Sequence, residues 1–189
     1  MDRSMWQKYA NLIVKVGLNL QQGQILVINS PLECAEFTRM VAETAYKEGA
    51  EEVVVNWSDD LLARIRFLHA PDRVFDRFPP WRKELYMYYL KQGAAFLSIY
   101  AEDPELMKDV DPGRLARQQK ANNIALKEYR EQLMADKNVW SLVSVPIPAW
   151  AKKVFPDLPA EQAMEKLAEA ILKAVRVNED DPVAAWEQH

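Results

Sequence analysis

A chain of 189 residues, 49% of them apolar and 28% charged, can bury a real core and has the make-up of an ordinary globular protein of one domain. Its net charge of −4 argues against nucleic acid or an anionic membrane as partner, and one cysteine, Cys34, excludes an internal disulfide framework. No apolar run has transmembrane length and the start MDRSMWQKY lacks a signal core, so the chain reads as cytoplasmic.

In chain order, Trp6, Tyr9, Ala10, Ile13 and Val14 form a helical stripe over residues 4–16 that Gly17 can stop. Ile25 to Ile28 is a branched apolar run closed by Asn29 and Ser30, a buried strand. Ser30-Pro31-Leu32-Glu33 has the spacing of a capping box, with proline at the first helical position. Phe37, Met40, Val41, Thr44 and Ala45 continue as one apolar face, and Gly49 supplies the left-handed residue that ends the helix. Val53 to Val55 is a second strand, so the unit is βαβ with a right-handed crossover.

Ser58-Asp59-Asp60 then predicts an N-cap and acidic first turn for a helix over 59–68, ended by Ala70-Pro71. A short helical piece follows over 72–78. A helix over 81–90 carries Trp81, Tyr86, Tyr88 and Tyr89, spread widely enough that at least one tyrosine stays partly exposed. Residues 94–99 give the third strand. Asp103-Pro104 and Asp111-Pro112 both read as helix starts, and residues 114–136 as one largely solvated helix. Val139 to Val145 is the fourth strand, ended by Pro146 and Pro148. A short helix over 149–155 precedes an amphipathic one opened by Pro159. Gly23, Gly49 and Gly93 each stand just before a strand. The alternation predicts a doubly wound, mainly parallel α/β sheet of about four strands with helices on both faces. Residues 1–177 form the α/β domain on this reading. Residues 178–189, in which Asp181-Pro182 opens an element around Trp186 that stops at His189, begin a connection towards a second domain.

The residues that carry chemistry are sparse. The five glycines form no phosphate cradle, and Glu33 stands where a phosphate would sit. His69 and His189 have no second histidine or cysteine at metal-ligand spacing. Asp59-Asp60 and Glu102-Asp103 could lend oxygens to a cation, or be helix-start acids. Cys34 lies in the first turns of a helix but between Glu33 and Glu36, without a histidine partner or nucleophile elbow. Arg114, Arg117, Lys120, Lys127 and Arg130 alternate with glutamates and glutamines, the pattern of a solvated helix face. No catalytic and no metal residue is assigned. Ligands of open parallel sheets bind at the carboxyl ends of the strands. There Trp57, Asp59, Tyr100 and Trp150 are the candidates for the rim of a substrate cavity, the plainer reading being that the rings pack under loops.

The stretches GQILVINSPLECAEFTRMVAETAYKEGAEEVVVNWSDD, RIRFLHAP and VSVPIPAWAKKVFPD, in this order and spacing, resemble the start of the thermophilic metallo-aminopeptidases of the aminopeptidase T and S type. The resemblance covers nearly the whole chain. It implies a cytoplasmic, dimeric exopeptidase that releases N-terminal residues from peptides. It also implies that this domain packs on a carboxyl-terminal catalytic domain holding divalent ions (cobalt, zinc, manganese or magnesium). The family's ligands and base match nothing in this sequence, so the 189 residues alone are expected to be inactive and to bind no metal. A self-standing α/β binding or interaction module is the alternative.

Overall fold

The computed structural model describes residues 3–188. These residues pack as two compact units. The first runs to Ser58 and takes in Ala95–Pro104 and the chain from Val139; the second is Asp59–Ala94 with Glu105–Asn138.

In the first unit, helix α1 (Arg3–Leu12) buries Trp6, Tyr9, Ala10 and Leu12. Its last turn widens into a π-helix over Ile13–Gly17, where the Leu18 amide reaches back to the Ile13 carbonyl at 2.8 Å. Strand β1 (Ile25–Pro31) buries Leu26, Val27 and Ile28 in succession, so both faces of the sheet are covered there. The capping box does not form. Pro31 stays extended and in register with the next strand, Leu32–Cys34 makes one 3-10 turn, and α2 begins only at Ala35 and runs to Lys47. Ser30 instead turns inward, its hydroxyl 2.7 Å from that of Thr38. A proline held in the ladder prevents the serine before it from serving as helix cap.

The end of α2 follows the sequence. Gly49, at φ 95°, lets the Ala50 amide reach Ala45 at 2.9 Å and its own amide reach Tyr46 at 3.1 Å. Strands β2 (Glu52–Ser58), β3 (Ala95–Tyr100) and β4 (Trp140–Ser144) complete a parallel sheet in the order β2-β1-β3-β4. The order reverses at β1, so the fold is doubly wound α/β. Val53 to Val55 are only half-buried because β2 is an edge strand.

On one face, Leu26, Ile28, Leu97 and Val143 meet the apolar sides of α1, α2 and α8 (Ala160–Ala174). Phe37 lies 5.4 Å from both Trp6 and Tyr9, ring centre to ring centre. At Gly17 a Cβ would come within 3.2 Å of the Ser141 hydroxyl, so that side chain would have to give way to any larger residue. Helix α7 (Pro148–Val154) buries Ala151. The last helix, α9 (Pro182–Glu187), is capped by Asp181 as its sequence predicts, and Trp186 donates to the Val175 carbonyl at 2.9 Å. His189 lies outside the described residues.

The second unit is helical. Asp59, rather than Ser58, caps α3 (Asp60–His69) through the Leu62 amide, because Ser58 is the last residue of β2. The helical piece after Pro71 shrinks to a 3-10 turn, Asp72–Val74, before α4 (Pro80–Lys91). Asp103-Pro104 starts no helix. Residues 104–109 make only successive turns, since Pro112 keeps Asp111 out of the helical region and allows the next helix to begin only there. The long solvated helix is two, α5 (Pro112–Ala125) and α6 (Lys127–Met134), parted at Leu126 after two asparagines, which are poor helix formers.

The basic face of α5 is only partly solvated. Arg114 donates to the Phe67 and Leu68 carbonyls at 2.6 and 3.2 Å, at the end of α3, and pairs with Asp72 at 2.7 Å. Arg117 pairs with Asp76, which holds that carboxyl below its usual range. No helix is long and apolar enough to cross a membrane among the described residues.

Candidate functional site

Because all four strands are parallel, their carboxyl ends share one edge of the sheet. The order reverses between β1 and β3, the position at which such folds bind ligands. On the face opposite Leu26 and Ile28, register fixes what is presented there. Val54, Val27 and Phe96 form an apolar row, with Val27 and Phe96 buried. Two residues further along each strand, Asn56, Asn29 and Ser98 lie side by side, all half-buried. The Asn56 carboxamide donates to Asn29 Oδ1 at 3.1 Å. Beyond this row come Ser58, in register with Pro31, and Tyr100, in register with Ser144.

Tyr100 is 42% exposed and stands edge-on to Trp150 at 6.1 Å between ring centres. Its hydroxyl pKa is raised, first by the charge of Glu102, then by burial and by the hydrogen bond to that carboxylate. Such a phenol keeps its proton at neutral pH and can both donate and accept a hydrogen bond.

The candidate residues of the sequence therefore fall in different places. Tyr100 and Trp150 are brought together. Trp57, 41% exposed, is in register with Ser30 and so belongs to the other face of the sheet. Asp59 opens the second unit, its carboxylate engaged in capping α3.

Cys34 is buried, with its carbonyl accepting from the Thr38 hydroxyl. His69 is exposed in the last turn of α3, where a basic side chain suits the helix dipole. Asp59-Asp60 are helix-start acids, but Glu102-Asp103 lie in a loop, not on a helix. Among the described residues no three histidine, cysteine or carboxylate side chains gather closely enough to hold a metal ion.

The polar row escapes a reading strand by strand. Its signal is faint but present: INS, VNW and LSI each break an apolar run with a small polar residue, and only the register shows that the three breaks line up.

Comparison with known proteins adds the following. The profile of the thermophilic metalloproteases matches residues 2–189. The chain is 52% identical over 182 residues to aminopeptidase 2 of Geobacillus stearothermophilus, covering 96% of this chain and 44% of that protein. It is 40% identical over 183 residues to aminopeptidase T of Thermus thermophilus, covering 97% and 45%. The solved structure of wild-type AmpT from Thermus thermophilus superposes with a TM-score of 0.91 at 38% identity, over 99% of this chain and 46% of that one. The chain thus spans somewhat less than half the length of these relatives.

Proposed function

Since the chain belongs to the thermophilic metalloprotease family, we propose that it is the amino-terminal α/β part of a metal-dependent aminopeptidase that releases N-terminal residues from peptides. The observation that supports this most is the match along nearly the whole chain to aminopeptidases more than twice as long. On this reading residues 1–177 are the domain and residues 178–189 begin the connection to a catalytic domain. The protein is cytoplasmic and works as a dimer. Its role is to shape the substrate cavity, with Tyr100 and Trp150 together on the rim and Trp57 at the strand end on the other sheet face.

The divalent ions implied by the family, whether cobalt, zinc, manganese or magnesium, do not fit the side chains of the described residues. A two-metal centre needs several convergent carboxylates or imidazoles. Here no such group forms among the described residues, and His69 lies alone at a helix end. No chemical step is therefore derived through a metal.

Two preparations test this: the 189-residue chain, and the longer polypeptide encoded with its downstream sequence. The longer one is expected to hydrolyse a leucine-anilide substrate and to lose that activity to a chelator. The chain alone is expected to give neither turnover nor stoichiometric micromolar binding in calorimetric titration with cobalt, zinc or manganese. Turnover by the chain alone, or none by the longer polypeptide, overturns the reading.

A further inference from the structure

The two edges of the sheet differ. β2 is guarded: it begins with Glu52, and the Val53 amide is met by the Tyr46 hydroxyl and by Glu52 Oε1, both at 3.1 Å. Charge and side-chain cover of this kind keep an edge strand from pairing with another chain. β4 has neither. Its sequence, WSLVS, holds no charge and no proline.

The ladder shows which main-chain groups β4 leaves open. The Val139 carbonyl accepts from Phe96 and the Val145 amide donates to Tyr100, so the odd-numbered residues face β3. Trp140, Leu142 and Ser144 therefore turn their amides and carbonyls outward. The Ser144 amide is taken by Tyr9, which leaves the edge open at Trp140 and Leu142. Their side chains are open too. In register with Phe96 and Ser98, they share one face of the sheet and are 42 and 61% exposed, while Val143 on the other face is buried. Parallel strands are ordinarily covered on both faces. β4 thus has the make-up of an interior strand that lacks one neighbour.

Two observations point to what that neighbour is. Helix α9 packs on the π-helix Ile13–Gly17, and that π-helix packs on β4, so a polypeptide continued past α9 leaves the unit close to this edge. The aminopeptidases this chain resembles carry more than half of their length outside the matched region. A second copy of the chain fits less well. Two part-exposed side chains on one short strand fall far short of the roughly 1,000 Å² that a stable complex of separate molecules buries. A segment of the same polypeptide needs far less contact, because the connection keeps it at high local concentration.

We infer that the open edge of β4 is the docking site of the polypeptide that follows this chain, which adds a strand along Trp140–Leu142 and covers both side chains. This rests on the reading of the chain as the amino-terminal part of a longer aminopeptidase, and it places one contact of that assembly.

Amide hydrogen exchange at single residues tests it, comparing the 189-residue chain with the longer polypeptide encoded with its downstream sequence. In the chain, the Trp140 and Leu142 amides are expected to exchange at least tenfold faster than those of Ser141 and Val143. In the longer polypeptide both are expected to slow at least tenfold. Leu142→Lys, at an exposed position, is expected to leave the denaturation midpoint of the chain unchanged and to restore fast exchange at Trp140 in the longer polypeptide.

Unslowed exchange at Trp140 and Leu142 in the longer polypeptide overturns the inference. So does slowing that appears in the chain alone as its concentration rises, which would make a second copy the occupant, or protection of Trp140 that survives Leu142→Lys. A coding sequence that stops after residue 189 overturns both this and the aminopeptidase reading. Otherwise the two fail separately: hydrolysis with an unprotected edge leaves the reading standing without the inference, and a protected edge without hydrolysis does the reverse.

Discussion

The hydroxyl of Tyr9 is buried, and burial pushes its pKa up to about 12 against the opposing hydrogen bond from the Ser144 amide. The folded state therefore holds this proton where the unfolded chain, near 10, has released it. That stability is complete below pH 10 and is lost as pH rises towards 12, a loss of about 2–3 kcal/mol. Tyr129, also raised by burial, adds in the same direction. Denaturant midpoints measured from pH 8 to 12 are expected to fall over this window, less steeply in Tyr9→Phe. A flat profile contradicts the assignment. Gly49 is a second single-residue constraint. At φ 95°, with a Cβ only 3.1 Å from Gln22 Cγ, Gly49→Ala is expected to cost about 1–2 kcal/mol in chemical denaturation without altering the fold.

Among the helices, those of the second unit depend on charged groups that close their ends. Arg114 satisfies two carbonyls at the carboxyl end of α3 and also lies over the buried Phe75 ring at 5.4 Å. Removing it strands these carbonyls, so Arg114→Met is expected to destabilise by about 2 kcal/mol, the range for hydrogen bonds to a charged group. Hydrogen exchange should place the loss in residues 60–76 rather than in the sheet. Uniform acceleration across β1 and β3 would show instead that the two units unfold together. In sequence these arginines look like ordinary surface charge. Their partners are about 40 to 50 positions away, as with Phe67 and Asp76, and no local pattern announces such a contact.

Across the molecule, large apolar side chains are left open in both units, and in the second they include a compact group on one helix. Helix α3 has no buried residue and shows Leu61, Leu62 and Ile65 on one side at 60, 62 and 53% exposure. The aromatic helix α4 leaves Trp81 and Tyr88 exposed and Tyr86 and Tyr89 half-buried, as its wide spread of rings implies. Patches of this kind mark interaction surfaces. Sedimentation over rising concentration is expected to show self-association of the chain. Leu62→Lys should weaken it while changing stability by no more than about 0.5 kcal/mol. A strict monomer at every concentration would remove this surface as the basis for a dimer.

The four strands, their alternation with helices, the helix ends at Gly49 and Gly93, the caps at Asp111 and Asp181, and the family are all legible in the sequence. Each of these depends on periodicity, turn chemistry or similarity spread along the chain. Long-range packing set the rest. Pro31 stayed in the ladder and moved the start of α2 to Ala35, because pairing with β2 outweighs a local cap signal. Trp57 and Tyr100 parted to opposite faces of the sheet because side chains alternate with a period of two, and only register says which faces coincide. The same alternation brought Asn56, Asn29 and Ser98, scattered over 70 positions, into one row. A strand's own residues state what it buries; its neighbours state what it presents together.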